Sequence, residues 1–196
     1  EPGMRVLDMG WGTAISSIFL AKEFDVQVGV ADLWIKPTVN WERIQDVGVE
    51  KQVFPIEAEA HALSCADGFF DVIVSMDSYH YFGTEDRYLG GYFARLVKPG
   101  GQIGIVVPGL VKEIESNEPP EHLQTNWYWD FWTFHSPEWW RLHWERSGVV
   151  TVELADMVMD GWKLWRDSDQ IKAEWNGVGD NDEAEMLRVD AGRNHG

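Results

Sequence analysis

The chain has 196 residues, of which 44% are hydrophobic, and this size and composition indicate a globular protein with a sizeable core. It carries 33 acidic against 16 basic residues, and the formal net charge of −17 repels nucleic acids and anionic membranes. We therefore expect no nucleic-acid or membrane partner and a small neutral or cationic substrate. The simpler alternative is that the acidity only keeps the protein soluble.

No stretch is long and apolar enough to span a membrane, and no leader peptide is visible. The chain starts at Glu1 and enters an apolar run almost at once, which suggests a fragment or a missing N-terminal segment. The single cysteine, Cys65, excludes an internal disulfide and fits a reducing, cytoplasmic location. With one cysteine and no His-x-x-x-His pair, we predict no metal site.

The first apolar run, residues 5–10, ends in a turn that contains Gly10 and Gly12. This pattern predicts a buried strand, a tight turn and then a helix over 13–23, with Ile15, Ile18, Phe19 and Leu20 facing inward. In an open α/β sheet a ligand lies just past the carboxyl end of such a strand. Backbone N–H groups at the start of the helix then face that ligand.

Apolar runs alternate with helical patterns along the next hundred residues, which predicts an α/β fold with a Rossmann-like, doubly wound, mostly parallel sheet and helices on both faces. Pro55 favours an edge position for the third strand. The predicted strands after the first are 26–33, 53–59, 70–76, 102–107 and 149–154, and the predicted helices are 39–47, 86–97, 137–147, 160–176 and 181–189. Without repeats or a low-complexity linker, we predict one domain over 1–196, with an aromatic-rich insertion at about 108–135.

Two common nucleotide ligands are each disfavoured by a missing residue. A dinucleotide fingerprint needs a third glycine at position 15, which is Ile15, and a phosphate-binding loop needs a Gly-Lys-Ser/Thr sequence that does not occur.

A different series of motifs fits better. It consists of Asp8-x-Gly10-x-Gly12, Asp32 closing the second run, Glu59-Ala60 after the third, the stretch 61–71 with Asp71 opening the fourth, and residues 96–101 before the fifth. This series resembles the class I S-adenosylmethionine-dependent methyltransferases, in particular the small-molecule enzymes of the ubiquinone-biosynthesis type. The resemblance covers residues 4–109.

The resemblance implies a set of cofactor-binding residues. Asp32, 20 residues after Gly12, would accept hydrogen bonds from the ribose hydroxyls, and Leu33 would lie on the adenine face. Glu59 and the Ala60 N–H would mark the adenine edge. The methionine portion would contact the turn and the end of the fourth strand, at Asp8, Gly10, Trp11, Gly12, Met76 and Asp77.

The sequence departs from the family pattern in its turn and at its ends. Trp11 stands where a small residue is usual, and Ala14 where a glycine is expected. The N-terminal lid and the seventh, antiparallel strand of the family are both missing from the pattern. These departures keep open an alternative, a truncated or degenerate S-adenosylmethionine-binding module without turnover.

Candidate acceptor-side residues fall in two places. After the fourth strand, His80 is a candidate base, with Tyr79 and Tyr81 positioning a methyl acceptor, although these rings are equally compatible with simple packing. Six of the 12 tryptophans lie within residues 127–144. In that segment Trp127, Trp129, Trp132 and His135 are candidates for an acceptor pocket or, alternatively, for core packing. The resemblance implies a small-molecule acceptor that is methylated on O, N or C, and the oligomeric state stays open.

Overall fold

The computed structural model describes residues 1–10 and 12–167, and within them a five-stranded parallel sheet forms the core. The strands are β1 (Arg5–Met9), β2 (Gln27–Asp32), β3 (Val53–Glu57), β4 (Phe70–Met76) and β5 (Val97–Val106). Their order in the sheet is β3-β2-β1-β4-β5. From β1 the strands are added first toward one edge of the sheet and then, from β4, toward the other, and open α/β sheets bind ligands at the point where this order reverses. The predicted fold class is confirmed, including an edge position for β3 and its Pro55.

The helices are α1 (Ile15–Phe24), α2 (Pro37–Val47), α3 (Tyr88–Gly91) and α4 (Pro137–Arg146), with 3-10 turns at Tyr79–Tyr81, Phe93–Leu96, Gln124–Asn126 and Trp129–Thr133. Residues 161–167 are also helical. The remainder of the predicted helix 160–176 and the whole of 181–189 lie outside the described residues. Within the part that is described, no helix is long and apolar enough to cross a membrane.

The predicted inward face of α1 is partly wrong. Ile15 and Phe19 are 61% and 55% exposed, whereas Ser16 and Ser17 are buried. The reason is that the hydroxyl groups of both serines donate hydrogen bonds to the Asp8 carboxylate on β1, so the two serines face the sheet. The apolar residues Ile18, Leu20 and Ala21 of the same helix do pack against the core.

Three other predicted elements differ from the structure. The predicted helix 86–97 is only the short α3 and a 3-10 turn, because Gly90 and Gly91 weaken the helix and Tyr92 leaves helical geometry. The predicted strand 149–154 is irregular chain, fixed at one point by the Arg141 guanidinium, which donates to the Val152 carbonyl oxygen at 3.0 Å. The strand β5 begins at Val97, earlier than predicted, and its pairing with β4 shifts register between Val97 and Gln102.

Asp71 lies at the amino edge of the sheet, opposite the carboxyl edge where ligands bind. Its carboxylate accepts a hydrogen bond from the Arg5 N–H at 2.8 Å and pairs with the Lys98 ammonium group. The bond from Lys98 holds the pKa of Asp71 below its usual range. This acidic residue therefore joins the starts of β1, β4 and β5.

The chain divides into two compact units. The first contains residues 1–108 and 141–153, and its core lies between the sheet and the helices. The second contains 109–140 and, among the described residues, 154–167, and Leu123, Phe131 and Phe134 form a separate apolar cluster there. The prediction of a single domain over 1–196 stays a prediction.

Candidate functional site

The Asp32 side chain, at the carboxyl end of β2, accepts three backbone N–H groups from two segments of the chain. One carboxylate oxygen accepts the N–H of Gly12 at 2.8 Å. The other oxygen accepts the N–H groups of Trp34 at 2.7 Å and Ile35 at 2.8 Å. Asp32 is 7% exposed, so these bonds form in a largely desolvated position. The acidic residue thus fixes the glycine turn after β1 relative to the end of β2.

The same turn is held from its other side by α2. The Asn40 amide donates to the Gly12 carbonyl oxygen at 2.9 Å, and the Arg43 guanidinium donates to the Thr13 carbonyl oxygen at 2.6 Å. Both polar groups of Gly12 are therefore hydrogen-bonded, one to Asp32 and one to a buried side chain of α2. Trp11, which precedes Gly12, lies outside the described residues.

Gly10 is required by a close approach between the ends of β1 and β4. Its φ is +72°, and a Cβ at this position would lie 2.3 Å from the Ser78 Oγ. The hydroxyl groups of Ser75 and Ser78 donate to the Met9 carbonyl oxygen at 2.9 and 2.8 Å. A side chain at position 10 would therefore separate the two strands at the point where the site is built.

Asp8 is fully buried beneath the turn. One of its oxygens accepts the bonds from the two α1 serines, and the other has no hydrogen-bond partner among the described residues. Burial raises the pKa of Asp8, although the serine hydroxyls oppose this effect. A positive group close to Asp8 would stabilise its ionised form.

Large apolar side chains are exposed next to Asp32. Leu33 is 53% exposed and Trp34 is 78% exposed. The Trp34 ring contacts the ring of Tyr81 edge-to-face, with 6.1 Å between centroids. The carboxyl edge of β2 therefore offers an exposed apolar surface beside a carboxylate.

Beyond β3, the Glu59 carboxylate is exposed and contacts His61. It accepts the His61 N–H at 2.9 Å and lies 2.8 Å from the His61 Nδ1. The Ala60 carbonyl oxygen accepts a bond from the Tyr88 hydroxyl at 3.0 Å. Both predicted adenine-edge residues thus lie in a segment with defined contacts.

At the end of β4, Met76 pairs with Val106 and is half-buried. Asp77 follows it with φ +62°, a left-handed conformation that costs a non-glycine residue free energy. The Asp77 N–H donates to the Val106 carbonyl oxygen at 2.7 Å, which stabilises this sharp turn.

The three candidate catalytic rings differ in environment. Tyr79 is fully buried and packs against Phe82, Tyr88, Phe93 and Trp144, and burial raises its pKa. His80 is also fully buried, and burial lowers its pKa to about 4. Tyr81 is 44% exposed, with its ring 4.0 Å from that of His80. Of the three, Tyr81 is the ring that solvent reaches most readily.

The aromatic candidates of the second unit take two roles. Trp127 packs against Phe131 and Trp132, with 5.6 and 5.0 Å between ring centroids. Trp129 is 82% exposed, and with Trp132 and Asn117 it lines a groove of ≈ 260 Å³. Trp127 is therefore mainly a packing residue, while Trp129 and Trp132 border open space.

His135 is oriented by a carboxylate and an indole ring. Its Nδ1 lies 3.0 Å from a Glu113 oxygen, and its ring stacks on Trp139 with 3.5 Å between centroids and an angle of 8°. The other Glu113 oxygen accepts the Ser136 N–H at the start of α4. Burial acts to raise the pKa of Glu113, but the bonds from Ser136 and His135 outweigh it and lower the pKa.

A parallel sheet with this strand order, a glycine turn after β1 and an acidic residue closing β2 define a Rossmann-like nucleotide-binding fold. Comparison with known proteins identifies its family. Residues 6–101 match the family model of a methyltransferase domain. These residues thus belong to the methyltransferase family that the sequence motifs predicted, and the cofactor of that family is S-adenosylmethionine.

The matches to individual relatives cover about half of this chain. The ubiquinone/menaquinone biosynthesis C-methyltransferase UbiE of Vibrio vulnificus strain YJ016 is 30% identical over 110 residues, which are 53% of this chain and 40% of that protein. Phosphoethanolamine N-methyltransferase 1 of Arabidopsis thaliana is 28% identical over 103 residues, 53% of this chain and 21% of that protein. The chain spans less than half the length of these relatives.

A solved structure extends the likeness in fold. Phosphoethanolamine N-methyltransferase 2 of Haemonchus contortus, in complex with S-adenosyl-L-methionine, superimposes with a TM-score of 0.70 and 20% identity. The match covers 96% of this chain and 44% of that one.

Sequence reasoning missed the residues that support the turn from other elements. Asn40 lies 28 residues from Gly12, and Ser78 lies 69 residues from Met9. No local pattern links such pairs, because hydrogen bonds between side chains and distant backbone are decided by tertiary packing. Ser75 did carry a weak signal, since a serine inside an apolar strand needs a buried partner.

Proposed function

We propose that this protein transfers a methyl group from S-adenosylmethionine to a small-molecule acceptor. The observation that carries the proposal is Asp32, which joins the glycine turn of β1 to the end of β2 through the Gly12 N–H. This junction lies at the carboxyl edge of the sheet, where the family holds its cofactor.

The described residues fit this cofactor on two counts. A carboxylate has about four acceptor positions, and Asp32 uses three of them for backbone N–H groups, which leaves one for a ribose hydroxyl. The second oxygen of Asp8 is buried without a hydrogen-bond partner among those residues, and an ammonium group nearby would offset that burial. We assign Leu33 to the adenine face and Glu59 with Ala60 to its edge, with Gly10, Gly12, Met76 and Asp77 beside the methionine portion.

The bound cofactor supplies an electrophilic methyl group, so the protein's part is to bind, orient and exclude water. Where the acceptor must lose a proton, His80 is our proposed base. With a pKa of about 4 its imidazole is neutral at neutral pH, so one ring nitrogen can accept a proton, although it is a weak base. Tyr79 and Tyr81 are proposed to position the acceptor.

For the acceptor we propose a neutral or cationic small molecule. The acidic surface favours such a charge, and aromatic faces such as those of Trp129 and Trp132 bind cations or flat rings. Trp127 and His135 complete the proposed set. Neutral quinone precursors are the first acceptors to test, because one relative is named for ubiquinone and menaquinone biosynthesis. Phosphoethanolamine, for which another relative is named, carries a phosphate and serves as the anionic comparison.

Calorimetric titration with S-adenosylhomocysteine tests the first step, and we expect saturable binding at micromolar to millimolar concentrations. The labelled methyl donor with a panel of acceptors then tests transfer. Failure to bind even millimolar ligand would refute the proposal.

A second candidate function is cofactor binding without turnover, and Trp11 is the observation that favours it. A bulky residue at this position of the glycine turn departs from the family pattern. If Trp11 obstructs the cofactor, Trp11→Cys or Trp11→Ala will raise the affinity for S-adenosylhomocysteine. Binding together with no transfer to any acceptor would favour this candidate.

A further inference from the structure

His61 connects two carboxylates beside the proposed adenine edge. Its backbone N–H donates to one oxygen of Glu59 at 2.9 Å, and its Nδ1 lies 2.8 Å from the other oxygen. Its Nε2 lies 3.4 Å from an oxygen of Glu85. One residue thus contacts both oxygens of Glu59, while its ring is held in turn by a second acid.

The His61 ring is also supported by α3. It contacts the Tyr88 ring edge-to-face, with 4.8 Å between centroids, and the Tyr88 hydroxyl donates to the carbonyl oxygen of Ala60. Tyr88 itself is buried, so segment 59–61 rests on a fixed group. These contacts restrain an imidazole that is itself 44% exposed.

We propose that His61 is a positioning residue, which holds the Glu59 carboxylate in the orientation that accepts the exocyclic amino group of adenine. The inference rests on the proposed function. A half-exposed glutamate samples several rotamers, and a ligand that must select one of them binds more weakly. His61 restricts those rotamers before the ligand arrives.

Glu59 keeps the capacity to bind a ligand while His61 contacts it. Each carboxylate oxygen has two acceptor positions, and His61 uses one on each. The hydrogen bond from His61 also holds the pKa of Glu59 below its usual range, so the acceptor stays ionised. An acceptor that is ionised and fixed in place suits an amino donor such as that of adenine.

Two substitutions separate the contacts of the ring. In His61→Asn the amide nitrogen can replace Nδ1 and keep the bond to Glu59. In His61→Gln it can replace Nε2 and reach only Glu85. The backbone N–H of residue 61 is kept in both variants, so they form a matched pair.

The test measures the binding of two ligands to the wild type and both variants by calorimetry. The ligands are S-adenosylhomocysteine and S-inosylhomocysteine, in which a carbonyl oxygen replaces the amino group of adenine. For S-adenosylhomocysteine we expect His61→Gln to bind about three- to fivefold more weakly and His61→Asn to bind like the wild type. The expected loss is small because a single exposed contact with a charged group contributes about 1 kcal/mol or less. For S-inosylhomocysteine, we expect equal affinity in all three proteins.

The possible outcomes decide between explanations. Equal losses for both ligands would mean that His61 only supports the local fold, and unchanged affinities would mean that it does not orient Glu59; either overturns the proposal. In a Glu59→Ala background, His61→Gln should have no further effect on affinity. A wild type that binds neither ligand would instead overturn the proposed function, and the role of His61 with it.

Discussion

Replacing Asp32 with asparagine tests the central junction of the site. The change preserves the shape of the side chain but exchanges one acceptor oxygen for an NH₂ donor. If the remaining oxygen serves Trp34 and Ile35, the new NH₂ group faces the Gly12 N–H, which was 2.8 Å from the replaced oxygen. Two donors then point at each other in a buried position.

The cost follows from the contacts. One charge-assisted hydrogen bond is lost, worth about 1.5–3 kcal/mol, and the Gly12 N–H is left without an acceptor. We expect a destabilisation of about 2–4 kcal/mol, a fall in Tm on the order of 10 °C for a protein of this size. Loss of the remaining acceptor position for a ribose hydroxyl should weaken S-adenosylhomocysteine binding by about 10- to 100-fold.

Thermal unfolding followed by circular dichroism measures the first effect, and calorimetric titration measures the second. The control is Asp67→Asn, which removes the same charge from an exposed pair with Arg95 and should change stability by less than about 1 kcal/mol. An Asp32→Asn protein with the wild-type Tm would refute the junction. Unchanged affinity in the folded variant would refute the ribose assignment.

Three further predictions concern the surroundings of the site. Asn40→Ala removes the donor to the Gly12 carbonyl oxygen, and should lower stability by about 1–3 kcal/mol and weaken cofactor binding; an unchanged Tm would contradict the role of this bond. Gly83→Ala places a Cβ 2.0 Å from the Tyr79 ring and should destabilise the fold by at least ~2 kcal/mol in a urea titration, whereas a neutral effect would mean that the ring moves freely. Burial lowers the pKa of His80 from 6.5 to about 4. As the pH falls, this residue therefore binds a proton in the unfolded chain before it does in the folded protein, and the free energy of unfolding falls by ~3 kcal/mol between pH 6.5 and 4. His80→Gln should remove that part of the pH dependence. If the free energy of unfolding depends on pH identically in the wild type and the variant, His80 makes no such contribution.

The parallel sheet was predictable because each strand is a short apolar run between turn signals, as buried parallel strands require. The face of α1 was not predictable from periodicity. Ile15 and Phe19 are apolar, but Asp8 on β1 needs donors once it is buried, and the α1 serines supply them. The buried carboxylate therefore decided the helix face against the hydrophobic pattern. The run at 149–154 shows a related limit, since an apolar sequence forms a strand only where a sheet edge accepts it.

The acids of the motif series were equally visible in the sequence but have different roles. Asp32 lies at the carboxyl edge among backbone N–H groups, and Asp71 lies at the amino edge in a pair with Lys98. Their positions at the start or the end of a strand already separate these roles, because parallel strands place all their carboxyl ends at one edge. The supporting group from α2 could not be predicted, since it depends on how that helix packs.

The distribution of bonds around Asp32 links stability to ligand binding. Three of about four acceptor positions hold the backbone, so this carboxylate is primarily a structural group with one position left for a ligand. Leu33 and Trp34 are the reverse case, because exposed side chains contribute little to folding and are available to a ligand. Substitutions at Asp32 should therefore lower stability and affinity together, whereas Leu33→Ser and Trp34→Ser should lower affinity alone. In such a site, the hydrogen bonds of Asp32 to the backbone determine the rigidity, and the exposed apolar side chains provide the contacts with the ligand.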